Sequence, residues 1–272
     1  MIPVTDPRAR SRFVTQLRQA YRRAPCAVAG FALWKIEAQL PAATLHLFPS
    51  KRGQTGLMAI NRGKLVLLWG PQPLSAALAA DRLRQLRLLN LHGRYDDALP
   101  WLQPTHTIHA YRALIFRGRV RQAVRRDATL ILREIDTGDD AALAVVARLV
   151  AAAGGGATPA QVAGWTAGPA FAPELWLGAY ERGRDELLGV GISTFNTDVA
   201  EVDLDWFYVH PTAQQRGIGT RLVRETIDRC FDRAQIIRVA GVADRFYERC
   251  GFTPCATWYY VARKGSGVQW WE

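Results

Sequence analysis

The chain predicts a mixed α/β fold in two parts, and three observations carry that prediction. Short apolar or alternating runs of strand length recur along the whole chain, with helical spacing between them. The C-terminal portion reads β-α-α-β-β-β-α-β-α-β. Charge is also divided sharply: residues 1–128 hold 21 Lys and Arg against 6 Asp and Glu, and residues 129–272 hold 14 against 18. A step of this size marks two units with different partners. The expected division is a smaller basic α/β domain at 1–128, a second α/β domain with a central mixed, twisted sheet flanked by helices at 129–265, and a Trp-rich tail at 266–272.

Composition narrows the class. With 272 residues, 49% hydrophobic and 22% charged, there is ample chain for buried cores. No apolar run approaches the ~20 residues needed to span a bilayer. Arg8, Arg10, Arg12, Arg18, Arg22 and Arg23 crowd the N-terminus without the unbroken apolar core of a secretion signal, so a cytoplasmic protein is expected. Cys26, Cys230, Cys250 and Cys255 form neither a CxxC nor a pattern of pairs and read as reduced thiols. His46, His92, His106 and His109 lack metal-ligand spacing, so no metal site is expected. Only four of the 35 cationic residues are Lys. That bias fits phosphate recognition, through the planar fork of Arg, and fits the coding bias of a GC-rich genome equally well.

In chain order, Phe13, Leu17, Ala20 and Tyr21 recur at helical spacing. Thr44–Phe48, Leu65–Trp69 and Thr107–Phe116 are strand candidates, with a helix at Leu74–Leu89. The basic stretch Arg117–Asp127 marks the boundary. Thr129–Glu134 reads as a strand, and Asp136 to Asp140 supplies caps and negative charge for a helix at Ala141–Ala152, which Gly154-Gly155-Gly156 ends. Thr158-Pro159-Ala160-Gln161 is a capping box with proline at the first helical position. Strands follow at Leu175–Tyr180 and Leu187–Phe195, then an acidic strand at 201–209. A helix runs from Gly219 to about Cys230, a strand spans Ile236–Val239, a short helix Val242–Arg249, and a last strand Thr257–Ala262. Trp270-Trp271 is expected to dock on this chain or a partner, since exposed indoles are unfavourable.

Three segments carry chemistry. The first, Gln214-Gln215-Arg216-Gly217-Ile218-Gly219-Thr220, lies between a strand and a helix. A phosphate site needs several amide N–H groups converging at a helix N-terminus, and glycines allow the backbone close approach. The second is Glu201-Val-Asp203-Leu-Asp205-Trp-Phe207-Tyr-Val209. Alternation predicts Glu201, Asp203, Asp205, Phe207 and Val209 on one face, with Val202, Leu204, Trp206 and Tyr208 on the other. Three carboxylates in line on so apolar a strand need solvent or a cation, and a cleft receiving an amine would meet that need. The third is Ala243-x-x-Phe246-Tyr247-Glu248-x-x-Gly251-Phe252, with a phenolic donor among core aromatics.

Together these segments resemble the acyl-CoA N-acyltransferases of the GNAT superfamily. The loop matches that family's Gln/Arg-x-x-Gly-x-Gly/Ala signature at each specified position, and Val209-His210-Pro211 and Leu222 fit its surroundings. The resemblance implies the GNAT fold over about 129–264 and acetyl-CoA or another short acyl-CoA as donor. It would be held by Gln214, Gln215, Arg216, Gly217, Ile218, Gly219 and Thr220, with Phe207, Tyr208 and Val209 on the strand and Phe246 on the short helix. It implies that Asp203, fourteen residues before Gly217, removes the amine proton through water, with Asp205 the rival, and that Tyr247 protonates the departing thiolate. Two positions depart from the family: Asp203 is shorter than the usual glutamate, and Ala240 stands where many relatives carry asparagine. The N-terminal half would be a degenerate second GNAT-like domain or an unrelated α/β domain. The acceptor is expected to be a small-molecule or peptide amine. Donation from acyl carrier protein, and non-catalytic binding with nucleic acid on the basic half, stand as alternatives; an acidic protein partner and a homodimer are left open.

Overall fold

The computed structural model describes residues 2–49, 55–70, 82–116, 129–241 and 244–267. The expected boundary stretch at 117–127, the first part of the helix expected at Leu74–Leu89, Val242, Ala243 and the Trp270-Trp271 tail lie outside the described residues. The chain forms two compact units, one of Met1–Leu114 with Ala240–Asp244 and Pro254–Glu272, the other of Ile115–Val239 with Arg245–Thr253.

The first unit opens with β1 (Ile2–Pro3) and α1 (Pro7–Arg23). Asp6 caps α1 by accepting from the Ala9 N–H at 2.8 Å, Pro7 sits in the first turn, and Phe13, Leu17, Ala20 and Tyr21 are buried as their spacing predicts. Short α2 (Pro25–Val28) and α3 (Leu33–Glu37) lead to β2 (Thr44–Pro49), β3 (Thr55–Asn61) and β4 (Lys64–Trp69), and β1–β2, β2–β3 and β3–β4 each pair antiparallel. β5 (Leu88–His92) then pairs parallel to β4. This corrects the helix expected to reach Leu89. Leu83, Leu86 and Leu89 mimic a helical period, yet an apolar run of this length cannot separate helix from strand, and all three enter one core with Met58, Leu65 and Leu91. α4 (Leu99–Leu102) and β6 (His106–Phe116) follow. The last strand, β12 (Phe252–Arg263), pairs antiparallel with β5, from Trp258↔His92 to Ala262↔Leu88.

The cysteine expectation is also corrected. Cys26 and Cys255 form a disulfide with Cα atoms 6.1 Å apart, while Cys230 and Cys250 are free and buried. The partners stand 229 residues apart, so no local spacing announces the pair.

The second unit follows the expected order closely: β7 (Leu130–Glu134), α5 (Asp140–Ala152), α6 (Pro159–Trp165), β8 (Phe171–Glu181), β9 (Leu187–Asn196), β10 (Glu201–Val209), α7 (Ile218–Cys230), β11 (Ile236–Gly241) and α8 (Asp244–Arg249). Asp139 caps α5, and the Thr158–Gln161 capping box is formed in both directions. β7 to β10 pair antiparallel in succession and β11 joins β10 in parallel. Four antiparallel strands followed by a parallel fifth is the pairing pattern of β1–β5 as well. α5 and α6 cover one face of the second sheet over Trp176, Val190 and Ile192, and α7 covers the other over Leu130, Leu177, Ala179 and Leu188. Among the described residues no helix is long and apolar enough to cross a membrane.

Candidate active site

β10 organises the site, and a one-residue irregularity in it changes the expected geometry. Its register with β9 runs Asp203↔Thr194 and Leu204↔Ser193, then resumes at Trp206↔Ile192. Asp205 is the extra residue, a β-bulge, and a bulge reverses the side-chain phase beyond it. The single acidic face predicted by strict alternation is therefore corrected. Trp206 and Tyr208 join the α5–α6 face, where residue pairing also places Asp203, while Phe207 and Val209 pack toward α7. Asp205 accepts a hydrogen bond from the Thr194 hydroxyl at 3.1 Å and stays partly exposed.

The cation that the carboxylates require is built into the fold. Arg238 of β11 lies opposite Asp203 in the parallel register and is fully buried, with Nη1 at 3.6 Å from Glu201 and Nε at 3.7 Å from Asp203. Glu201 and Asp203 are themselves only 1% and 3% exposed. A buried charge is tolerated when it is paired, and this triad meets that condition. Sequence reasoning missed Arg238, although an arginine inside the apolar run Ile236-Ile237-Arg238-Val239 was the available signal.

The β10–β11 ladder runs from Glu201↔Ile236 to Leu204↔Val239 and ends there. Beyond it, Trp206–Val209 remain bonded to β9, and among the described residues their other edge is not laddered to β11. A strand edge released in this way leaves alternate N–H groups without a ladder partner on β11, the arrangement that can polarise a carbonyl oxygen.

The glycine loop follows β10 directly. Gln215 and Gly217 both adopt left-handed backbone, φ 64° and 76°. Gly217 is the N-cap of α7 and supplies no side-chain cap, leaving the first-turn N–H groups directed outward with the helix dipole behind them. A Cβ at Gly217 would meet nothing within 4 Å, so the ground above the helix end is open. The cradle fits a diphosphate. Gln214 ties the loop to the strand by donating from Nε2 to the Val209 carbonyl at 3.4 Å, and Arg216 reaches Glu181 at 3.3 Å.

α8 is fastened to this loop. The Phe246 ring lies 3.2 Å from where a Gly219 Cβ would stand, and the Cys250 thiol shares a hydrogen bond with Thr220. Gly251 ends the helix at φ 95°. Tyr247 between them packs edge-on against Phe246 and Phe252, with ring centroids at 4.9 and 5.8 Å. Desolvation raises its hydroxyl well above the ordinary tyrosine range, and Cys250, Tyr208 and Asp203 each add to the rise. Desolvation raises Tyr208 as well. Tyr247, Tyr208 and Asp203 thus share one electrostatic neighbourhood, in which the phenol stays protonated.

A row of rings continues the same face. Trp165 of α6 lies parallel to Trp206 at 4.7 Å, and Trp206 lies 6.1 Å from Tyr208. The Cζ of Tyr208 stands 3.0 Å from where a Gly155 Cβ would be, so the α5–α6 connection crosses the ring as bare backbone. No group of three or more His, Cys, Asp or Glu placed to hold an ion occurs among the described residues.

Residues 159–252 match the model of the acetyltransferase (GNAT) family. No curated protein matches the chain. Among solved structures, a GCN5-related N-acetyltransferase from Sphaerobacter thermophilus is similar at 15% identity, over 84% of this chain and 78% of that one, with TM-score 0.61. A tandem GNAT protein from the clavulanic acid biosynthesis pathway is similar at 14% identity over 98% and 99%, also with TM-score 0.61. A GNAT-family acetyltransferase from Colwellia psychrerythraea follows at 12% identity over 92% and 97%, with TM-score 0.58. At these identities the likeness is one of fold.

Proposed function

We propose, from the GNAT acetyltransferase domain that residues 159–252 form, that this protein moves a short acyl group, acetyl in the first instance, from acyl-CoA to an amine. The observation that carries the reading is the uncapped N-terminus of α7 with left-handed Gln215 and Gly217 beside it. Those N–H groups hold the diphosphate. The released edge of β10 at Phe207–Val209 then receives the thioester carbonyl, whose oxygen gains charge as the amine attacks.

The chemistry is a direct displacement. The amine nitrogen bonds to the carbonyl carbon, the C–S bond breaks, one proton leaves the nitrogen and the sulfur gains one. Tyr247, kept neutral by its surroundings, donates to the sulfur and is reprotonated from solvent. For the nitrogen, the geometry supports Asp205 over Asp203. Asp203 is buried against the Arg238 guanidinium, which leaves it less available to an incoming amine. Asp205, partly exposed and oriented by Thr194, can meet the amine directly or through water. Positioning of the two substrates supplies much of the rate.

Calorimetric titration with acetyl-CoA, beside an assay of CoA thiol release over a panel of amines, tests the reading. Gly217→Val should abolish acetyl-CoA binding while the fold persists, because its side chain meets open space and acts only through the left-handed φ. Wild-type protein without affinity for acetyl-CoA would overturn the proposal.

A further inference from the structure

One end of the sheet in the first unit carries cations that the transfer chemistry does not use. β3 and β4 are joined by Arg62-Gly63, both in left-handed backbone at φ 47° and 75°. Glycine, asparagine or aspartate suits such turn positions, so arginine at the first is held there at a cost. Arg87 precedes β5, with its N–H donating to the Gly63 carbonyl at 2.8 Å and its Nε to the Arg62 carbonyl at 3.1 Å. Arg263 ends β12 and donates its N–H to the Arg87 carbonyl at 2.9 Å, and Lys264 follows it. Strands bonded in this way lie about 4.8 Å apart, so Arg62, Arg87 and Arg263 stand in one row.

The row continues to α4 and the turn after it. Lys264 Nζ donates to the Pro104 carbonyl at 3.3 Å, and Arg84 Nε donates to the Trp101 carbonyl at 2.9 Å. Arg62, Arg84, Arg87, Arg263 and Lys264 are all exposed, and none of the five is in an ion pair among the described residues. Segments 61–64, 82–88, 101–105 and 261–265 contain no Asp or Glu. Like charges on neighbouring strands repel, and an anion laid across them removes that penalty.

The neighbours say which anion. Four of these five cations are Arg, whose planar fork pairs with phosphate oxygens. A row across several strand ends suits a chain of phosphates better than a single one. Trp101 is 50% exposed and is tied to Arg84 through its own carbonyl. An exposed indole beside a basic track is a platform for an unpaired base, which a duplex keeps inside. Gln85 and Gln103, also exposed, set amides along the same stretch that can meet a ribose 2′-OH as donor or acceptor. An acidic polypeptide would engage the cations and leave the indole idle.

We propose that this end of the first unit binds single-stranded RNA, with phosphates along Arg62, Arg87, Arg263, Lys264 and Arg84 and a base on Trp101. Binding here does not depend on acyl transfer.

Fluorescence anisotropy with a labelled oligouridylate of about 16 nucleotides, between about 50 and 200 mM KCl, tests it. Five phosphate contacts predict a slope of about −3.5 for log affinity against log salt. Arg87→Gln and Arg263→Gln should each weaken binding and reduce that slope by about 0.7. Should Arg87→Gln lower the Tm, Arg263→Gln still decides, since its guanidinium bonds to nothing among the described residues. Trp101→Ala should weaken binding about tenfold with the slope unchanged. Oligodeoxyuridylate of the same length should bind more weakly for want of the 2′-OH. Absence of salt-dependent binding, or binding that these variants leave unchanged, would overturn the proposal. So would a duplex, the oligodeoxyuridylate or polyglutamate binding as tightly as the oligouridylate.

Discussion

Arg238→Met removes the one cation of a buried charge triad and leaves Glu201 and Asp203 facing each other in the centre of the sheet. At separations of 3.6 and 3.7 Å and an effective dielectric of ~20, each pair is worth about 4.5 kcal/mol of attraction. Desolvation of the three ions offsets much of that in the intact protein, so the triad adds little net stability. Breaking it is a different matter, because Glu201 and Asp203 then lose their buried guanidinium where water does not reach. Removal of one partner from a buried pair typically costs about 3–5 kcal/mol. For a chain of this size that corresponds to a fall in Tm of roughly 6–20 °C. Urea unfolding by linear extrapolation is the assay, with an unchanged slope confirming that the loss is in stability. The triple variant Glu201→Gln, Asp203→Asn, Arg238→Met removes every charge and should recover most of the deficit. An Arg238→Met protein within about 1 kcal/mol of wild type, or a triple variant no better than the single one, would refute the claim that Arg238 neutralises these acids.

Two further outcomes follow from the shifted groups. Tyr247→Phe should lower turnover by about 10²–10⁴-fold while acetyl-CoA affinity holds, as loss of a general acid does. Since desolvation first, then Cys250, Tyr208 and Asp203, raise this hydroxyl, wild-type kcat should show no falling limb from it below pH 10; a limb that Tyr247→Phe erases near pH 8–9 would contradict the assignment. In the first unit, burial and then Arg94 lower His92 to about 4, and its Nδ1 accepts from the Arg94 N–H. The folded chain thus keeps this ring neutral while the unfolded chain protonates it below about 6.5. Folding stability should decline as pH falls from about 6.5 toward 4, and His92→Gln should flatten that part of a denaturation series; an unchanged profile would remove His92 as its cause.

What the sequence disclosed and what it concealed divide by the range of the interaction. The capping box at Thr158–Gln161, the Asp139 cap, the glycine loop before α7 and the order of elements from β7 to β12 each depend on residues within a few positions of one another. All are legible for that reason. The disulfide partners and the parallel β4–β5 pair depend on chain segments that only folding brings together. Leu83, Leu86 and Leu89 show the middle case, a periodicity shared by two structures until burial decides between them.

The acid strand shows why roles are harder to read than sites. Both Asp203 and Asp205 stand out in the sequence, and both lie on β10, yet two non-local facts set them apart. A bulge at Asp205 turns every later side chain over, bringing Trp206 and Tyr208 to the face of Asp203. An arginine 35 positions beyond Asp203 then takes up the charge that had appeared available to the substrate. Spacing from Gly217 singles out Asp203 on geometry along the chain alone. Charge compensation acts across the sheet, and it is what supports the proposed role of Asp205 over Asp203. Asp203→Asn should accordingly register first as lost stability, and Asp205→Asn as lost turnover or a raised KM for the amine with the fold intact, distinguished by urea unfolding and steady-state kinetics on the same two proteins. The reverse pattern would return the proton-accepting role to Asp203 and leave the bulge residue as packing.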